Sequence, residues 1–351
     1  MPVLGHGSLR LASRAGQLQS SAPTELRSWA DVRASFALAP GLTQMSAFLF
    51  ASHPRPVREA IERHRRGLDA NPHGYLDAAG GLEERARRAA ADFIGTSPAQ
   101  VALTDSTTMA LGLLYGSLEL RPGDEVLTTE HDFYSTHEAL RLRASVTGAR
   151  VARVSLYDDP RRASVGGIVS RLIAGIGRRT RYVAITWVHS STGVKLPIRE
   201  IADAIAKLNR ARPPLRRVVL CVDGVHGFGV EDVRISSLGC DFFASGCHKW
   251  LLGPRGTGIL WSRSEAWERV SPIIPTFDRD TIGAWIFKRP APAVSGPQMT
   301  PGGFHSFEHR CRGLRLPRSG RVRSHRRADT RARRAAEGWA GDDPGSRRSH
   351  A

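Results

Sequence analysis

Lys249, within Cys247-His248-Lys249-Trp250-Leu251, is one of only four lysines among the 51 Lys and Arg residues of this 351-residue chain. The others are Lys195, Lys207 and Lys288. A composition that writes almost every cation as arginine keeps an ammonium here, between an apolar strand and the Gly-rich turn GPRGTG. Arginine stays protonated in proteins, whereas a partly buried lysine can lose its proton and attack a carbonyl. Lys249 is therefore a candidate nucleophile, although a lone lysine on a hairpin is more often a solvated surface group.

Three other segments carry complementary chemistry. In DSTTMALGLLYGSL, Asp105-Ser106-Thr107-Thr108 follow a strand and open an apolar helix. Free amides and hydroxyls at a helix N-terminus form a phosphate cradle, and an ordinary Ser/Thr cap gives the same pattern. In TTEHDFYSTHEAL a strand ending at Thr129 delivers Glu130, His131, Asp132, Phe133 and Tyr134, among them flat side chains able to stack on an aromatic ring. RVVLCVDGVHGFG runs a buried strand into Asp223, where a carboxylate needs a cationic or hydrogen-bonded partner. A protonated ring nitrogen supplies one, while a plain Asp-Gly turn is the alternative. Cradle, stacking ring, acid and lysine, in that order, are the parts a pyridoxal phosphate site needs. There the lysine forms a Schiff base and the acid keeps the pyridine nitrogen protonated.

The elements that must position these residues are legible as apolar runs alternating with helical segments. The runs are VALT (101–104), EVLTT (125–129), ARVARVSL (149–156), RYVAITW (181–187), RVVLCVD (217–223), DFFASG (241–246) and GTGILW (256–261). Near-continuous apolar strands separated by helices predict an α/β fold with a mostly parallel, seven-stranded sheet sandwiched by helices. In such sheets chemistry gathers in loops beyond the strands' carboxyl ends, where the candidate residues fall. Upstream, PRPVREAIERHRRGL places Val57, Ala60, Ile61 and Leu68 near one helical face, and Leu82 to Ile94 reads as a second helix closed by Gly95. The expected organisation is a poorly ordered leader (1–30), the N-terminal part of a small domain (31–75), a large domain (76–290), the start of a C-terminal small domain (291–310) and a basic tail (311–351).

A hydrophobic share of 41% allows a proper core. No stretch approaches the ~18 uncharged apolar residues of a membrane span, and the N-terminus lacks a signal pattern, so a cytoplasmic protein without a membrane partner is expected. Cys221, Cys240, Cys247 and Cys311 show neither C-x-x-C nor paired Cys/His spacing, which points away from zinc and from a disulfide framework. The net charge of +18 first suggests nucleic acid, yet +8 of it falls in residues 311–351, with 12 arginines against four acids. That segment has no sustained apolar period. It reads either as a basic tail for acidic partners or, the favoured expectation, as translation of a shifted frame.

With these motifs together, the chain resembles the class V aminotransferase family of fold-type I pyridoxal phosphate enzymes. It is close in flavour to isopenicillin N epimerase-like proteins and resembles cysteine desulfurases more distantly. The resemblance covers roughly residues 35–310 and is carried by DSTTMALGLLYG, VDGVHGFG and CHKWLLGPRGTG. It implies a fold-type I large domain with an incomplete small α+β domain, a homodimer, and pyridoxal 5'-phosphate as cofactor. Lys249, Asp223 and His131 are the implied catalytic set: Schiff-base lysine, partner of the pyridine nitrogen and ring-stacking residue, with Phe133 or Tyr134 as substitutes for the last. His226 matches the position close to the cofactor's phenolic oxygen, and Ser106, Thr107 and Thr108 match the phosphate-binding turn. Ser245 and His248 match further phosphate contacts, and Ser190 stands where desulfurases often carry an Asn. MTPGGFHSFEHR resembles the stretch that reaches the neighbouring subunit's phosphate, which makes His305 and Ser306 candidates in trans.

Family members continue into a small domain with an arginine for the substrate carboxylate, which the arginines after residue 310 do not match. No mobile-loop nucleophile is recognisable, and Cys311 lies past the end of the resemblance. The implied activity is aminotransferase or epimerase chemistry on the amino group of a small amino-acid substrate. Lys249 would shuttle a proton between the alpha carbon and cofactor or solvent. A cysteine desulfurase or C-S lyase, an inactive homologue and a basic nucleic-acid-binding protein are the alternatives.

Overall fold

The computed structural model describes residues 28–78 and 81–303. His305, Ser306, Cys311, the basic tail and most of the expected leader lie outside the described residues. The chain divides into two units, residues 1–34 and 35–351. In the first, helix α1 (Trp29–Ala34) begins where Ser28 donates through its amide and hydroxyl to Asp31 Oδ2, at 2.8 and 2.9 Å.

The second unit is built on one seven-stranded sheet. In chain order its strands are β1 (Val101–Thr104), β2 (Glu125–Thr129), β3 (Arg150–Val154), β4 (Thr180–Thr186), β5 (Val219–Asp223), β6 (Phe242–Gly246) and β7 (Gly258–Ser262). Across the sheet the order is β1-β7-β6-β5-β4-β2-β3, and every pairing is parallel except those of β7 with β6 and β1. Two successive reversals leave β1 pointing the same way as β2 to β6. The carboxyl ends of all strands but β7 therefore share one edge.

Period-two alternation sorts the strand side chains onto two faces. Leu103, Leu127, Val183, Ile185, Leu220, Val222, Phe243, Ile259 and Trp261 join one core with α4 (Leu82–Ile94), α7 (Val165–Gly175) and α8 (Ile198–Asn209). Ala102, Val126, Tyr182, Ala184, Cys221, Phe242, Ala244 and Leu260 join the other, with α5 (Thr107–Gly116) and α6 (Tyr134–Thr147). Each fully buried Leu, Ile or Val contributes roughly 1.5–3 kcal/mol, and a one-residue slip of β5 would exchange the two sets. Both faces being covered explains why the central strands read as unbroken apolar runs. The edge strand β3 instead leaves Arg150 and Arg153 exposed, and charges on an edge discourage pairing with another chain.

Outside the sheet lie α2 (Arg55–Ala70), α3 (Pro72–Ala78), α9 (Arg279–Ile286) and α10 (Gly296–Met299). The apolar stripe expected of α2 buries only Val57 and Ala60. Helix α10, in the stretch expected to open the C-terminal small domain, packs on β1. Met299 lies in the second core, and a Cβ at Gly296 would fall 2.4 Å from the Val101 carbonyl oxygen, so only glycine permits that approach. Among the described residues no helix is long and apolar enough to cross a membrane.

Candidate active site

At the carboxyl edge of the sheet a cavity of about 330 Å³ opens between the ends of β1, β2, β4, β5 and β6. Its lining includes Ser106, Thr107, Thr108, Ser190, Asp223, His226, His248 and Lys249. Phe50, Asp105, Phe133, Ser135, Thr186, Val225, Arg255 and Gly256 complete it. A larger, shallower depression of about 730 Å³ is lined by Ala284, Trp285, Ile286, Lys288 and Arg289 and holds no acid. Most of the candidate residues line the smaller one.

Strand β5 is buried along its whole length and pushes Asp223 to the cavity floor with 1% of its surface exposed. Asp223 Oδ1 accepts from the Val225 amide at 3.0 Å. Burial drives its carboxyl up to about 7; the Val225 hydrogen bond opposes this, the Asp132 carboxylate adds to it, and Lys249 pulls it back. Lys249 sits on the loop after β6. Burial lowers its pKa from the ordinary lysine value, and Asp223 partly restores it. An acid held towards neutrality and an amine pushed towards deprotonation thus face one space.

The loop that carries Lys249 is closed by backbone bonds, Cys247 N to Thr257 O at 2.9 Å and Gly253 N to Cys247 O at 2.8 Å. Leu252 turns it with φ of 59°, a left-handed conformation uncommon for a residue with a Cβ. Helix α5 opens the opposite wall. Ser106 caps it by accepting from Met109 N at 3.0 Å, which leaves the first amides of the helix without intrahelical acceptors. The half-buried His248 packs near Phe50, ring centroids 5.6 Å apart, and its Nδ1 is buried without a hydrogen-bond partner among the described residues. His226 accepts at Nδ1 from the Trp250 indole at 3.1 Å, and burial followed by the Lys249 charge pushes its pKa down to about 4.

Two expected residues stand apart from the lining. Ser245 is wholly buried in β6 and donates to the Gly246 carbonyl at 3.2 Å. His131 stacks on Tyr157, centroids 4.3 Å apart and planes at 1°, while Phe133 and Ser135 line the cavity nearby. Tyr157 thus takes one face of the His131 ring. Tyr157 hydroxyl bonds His189 Nδ1 and Thr192 Oγ1, each at 2.8 Å. Burial holds His189 near pKa 4 against the raising effect of Asp132.

Thr186 and Arg255 carry no role legible in the sequence, and Asp132 and Trp250 stand there only as neighbours of His131 and Lys249. Asp132 Oδ2 accepts from Thr128 Oγ1 and Thr129 N, and its Oδ1 from Thr186 N, all at 2.7 Å, so one carboxylate joins the mouths of β2 and β4. The spacing Thr129-x-x-Asp132 was the available signal, an acid placed to accept from a strand-terminal amide. Arg255 lay in plain view in GPRGTG, but nothing in the sequence says that it turns towards the cavity.

A half-buried amine and a buried carboxylate, beside a helix N-terminus at the carboxyl edge of a mostly parallel sheet, form the architecture of fold-type I pyridoxal phosphate proteins. The class-V aminotransferase profile matches residues 51–279, and the chain belongs to that family of pyridoxal phosphate enzymes. Isopenicillin N epimerase of Streptomyces clavuligerus is 28% identical over 77% of this chain and 63% of its own length. A probable cysteine desulfurase of Pseudomonas aeruginosa is 32% identical over 66% of this chain and 56% of its own. The chain thus spans about three fifths of these curated relatives. A C-DES variant with glycine covalently linked to its pyridoxal phosphate superposes with a TM-score of 0.70 at 22% identity, covering 86% of this chain and 76% of that one. An apo cysteine desulfurase from Thermococcus onnurineus gives 0.69 at 21%, covering 90% and 77%.

The residues present fit the family's cofactor. Among the described residues Lys249 is the cation that partly offsets the desolvation of the buried Asp223 carboxylate, and a protonated pyridine nitrogen would offset more of it. The α5 N-terminus, Thr107, Thr108 and His248 together offer amides, hydroxyls and an imidazole to a phosphate.

Proposed function

We propose that the protein is a pyridoxal phosphate enzyme acting on the alpha-amino group of an amino acid or amino-acid-derived substrate, of aminotransferase or epimerase type. The observation that carries this reading is the pairing of Lys249, lowered by burial, with Asp223, raised by burial, in one cavity. Pyridoxal phosphate, when bound, supplies a carbonyl for an amine and a ring that withdraws electrons from the bonds at the alpha carbon.

This chain's own groups do the rest. Lys249 Nζ, deprotonated more readily than a surface lysine, takes up a proton from the alpha carbon and returns it. Asp223 would hold positive charge on the ring nitrogen. Ser106, Thr107, Thr108 and His248 would hold the phosphate, and Phe133 would cover the ring region. Arg255 is the cavity's fixed cation, with no carboxylate bonded to it among the described residues, and it suits the substrate carboxylate. A second copy of the chain belongs to this reading, and the residues expected to act in trans, His305 and Ser306, lie outside the described residues.

Desulfuration calls for a thiol within reach. Cys221, Cys240 and Cys247 are buried and none lines the cavity; burial raises the pKa of the first two. Among the described residues, then, no thiol lines the cavity, and Cys311 lies outside them. The test is exchange of the alpha proton in deuterated water, followed by NMR across the common amino acids with cofactor present. Exchange with retention of sulfur, lost in Lys249→Ala, is expected. Release of persulfide or sulfide without alpha exchange of other amino acids contradicts the reading.

A further inference from the structure

The indole of Trp250 meets the imidazole of His226 edge-on, rings at 73° with centroids 6.4 Å apart, and Nε1 lies 3.1 Å from Nδ1. An indole nitrogen can only donate, so Nδ1 must be the acceptor. Burial and the neighbouring Lys249 charge keep the imidazole neutral at physiological pH. A neutral imidazole carries one ring hydrogen, and with Nδ1 accepting, that hydrogen sits on Nε2. His226 lines the cavity with Asp223 and Lys249.

The backbone is built to bring the two rings together. Trp250 follows Lys249 directly, while His226 follows Asp223 by three positions on the turn after β5. That turn closes on the lysine loop at Gly229, whose φ is +89°. A Cβ there would stand 2.9 Å from Leu251 N and 3.0 Å from the Trp250 carbonyl carbon. Glycine is thus required both by the left-handed conformation and by the approach of the two segments. Leu251 is buried and anchors the far side of the contact.

We infer that Trp250 is a positioning residue that holds His226 as its Nε2–H tautomer, so that the imidazole presents a donor rather than a lone pair to an anionic oxygen bound in the cavity. The inference rests on the proposed function, and on the family position that His226 matches, only for the identity of that oxygen, the phenolic oxygen of pyridoxal phosphate. With the opposite tautomer, a lone pair would face the oxygen and repel it. The loop that supplies the attacking amine therefore also sets the hydrogen-bonding polarity of its neighbour.

Long-range 1H–15N spectra of the histidine rings, recorded at neutral pH on the full chain without cofactor, test this directly. His226→Gln assigns the signal. In the wild type the ring should be protonated at Nε2 with a pyridine-like Nδ1. In Trp250→Phe the tautomer ratio should move about two- to tenfold towards Nδ1–H, the scale of one neutral hydrogen bond. With pyridoxal phosphate added, that variant should still be trapped at Lys249 by borohydride while its cofactor Kd rises about two- to tenfold. A wild-type ring protonated at Nδ1 overturns the inference without recourse to any variant. An unchanged tautomer ratio in a folded Trp250→Phe overturns it as well. Failure of the wild type to bind cofactor would remove the proposed function instead and leave the tautomer result standing.

Discussion

The backbone amide of Gly246 donates to Thr107 Oγ1 at 2.7 Å and so ties the loop that carries Lys249 to the first turn of α5. A Cβ at Gly246 would come within 3.1 Å of that hydroxyl and 2.9 Å of His248 Cε1, so a larger residue there would require the His248 ring to shift. The contact joins the end of β6, just before Lys249, to the N-terminus of α5. Thr107→Val keeps the shape but leaves the Gly246 amide buried and unsatisfied, and should lower stability by about 1–3 kcal/mol in urea unfolding. An unchanged midpoint would show that the tie carries no strength.

Asp132 holds three donors from β2 and β4, two of them backbone amides. Asp132→Ala strands all three and should cost about 3 kcal/mol or more, since each buried unsatisfied donor costs roughly 1–3. Chemical denaturation of the purified variant checks this. A loss below about 1 kcal/mol contradicts the assigned role.

The carboxyl of Asp223, raised from 3.8 to about 7, makes folding depend on pH. Its folded pKa exceeds its unfolded one, so between these values the folded state binds more protons. Its contribution is most favourable below about 4 and is lost as pH rises towards about 7, with a slope approaching ~1.4 kcal/mol per pH unit. His189 and His226, pushed down to about 4 from 6.5, give the opposite sign within that window. The informative quantity is therefore the difference between wild type and Asp223→Asn without cofactor, which should carry the Asp223 slope alone. Pyridoxal phosphate should flatten it by supplying a cation. A difference independent of pH from 4 to 7 contradicts the burial of this charge.

Arg255→Ala separates two uses of one cation. As the holder of the substrate carboxylate, its loss should lower kcat/KM about tenfold to a hundredfold, as expected for a hydrogen bond to a charged group, with cofactor affinity unchanged. Weakened cofactor binding at unchanged KM would assign Arg255 to the phosphate instead. Steady-state kinetics and a cofactor titration distinguish the outcomes.

The sheet was legible because its central strands are buried on both faces. VLCVD and FFASG have no polar side to blur the pattern, and their ends place Asp223 and Lys249. Less of the cradle's support was legible, because it depends on contacts between residues distant in sequence. Thr107 with Gly246 and Asp132 with Thr186 share no periodicity, and the Trp250–His226 bond appears only once two turns have closed on each other. Flat side chains after β2 were recognised as a group, but which of them faces the cavity is a matter of side-chain packing. Tyr157, distant in the sequence, takes one face of His131.

The proposed function needs Lys249 to be the amine that captures the cofactor. Reduction with borohydride after adding pyridoxal phosphate, followed by peptide mapping, reads this out. A phosphopyridoxyl group is expected on Lys249 and none on Lys195, Lys207 or Lys288, with a visible absorption band that disappears on reduction and is absent in Lys249→Arg. Labelling spread over the other lysines, or a wild-type protein that stays colourless and unlabelled, would contradict it.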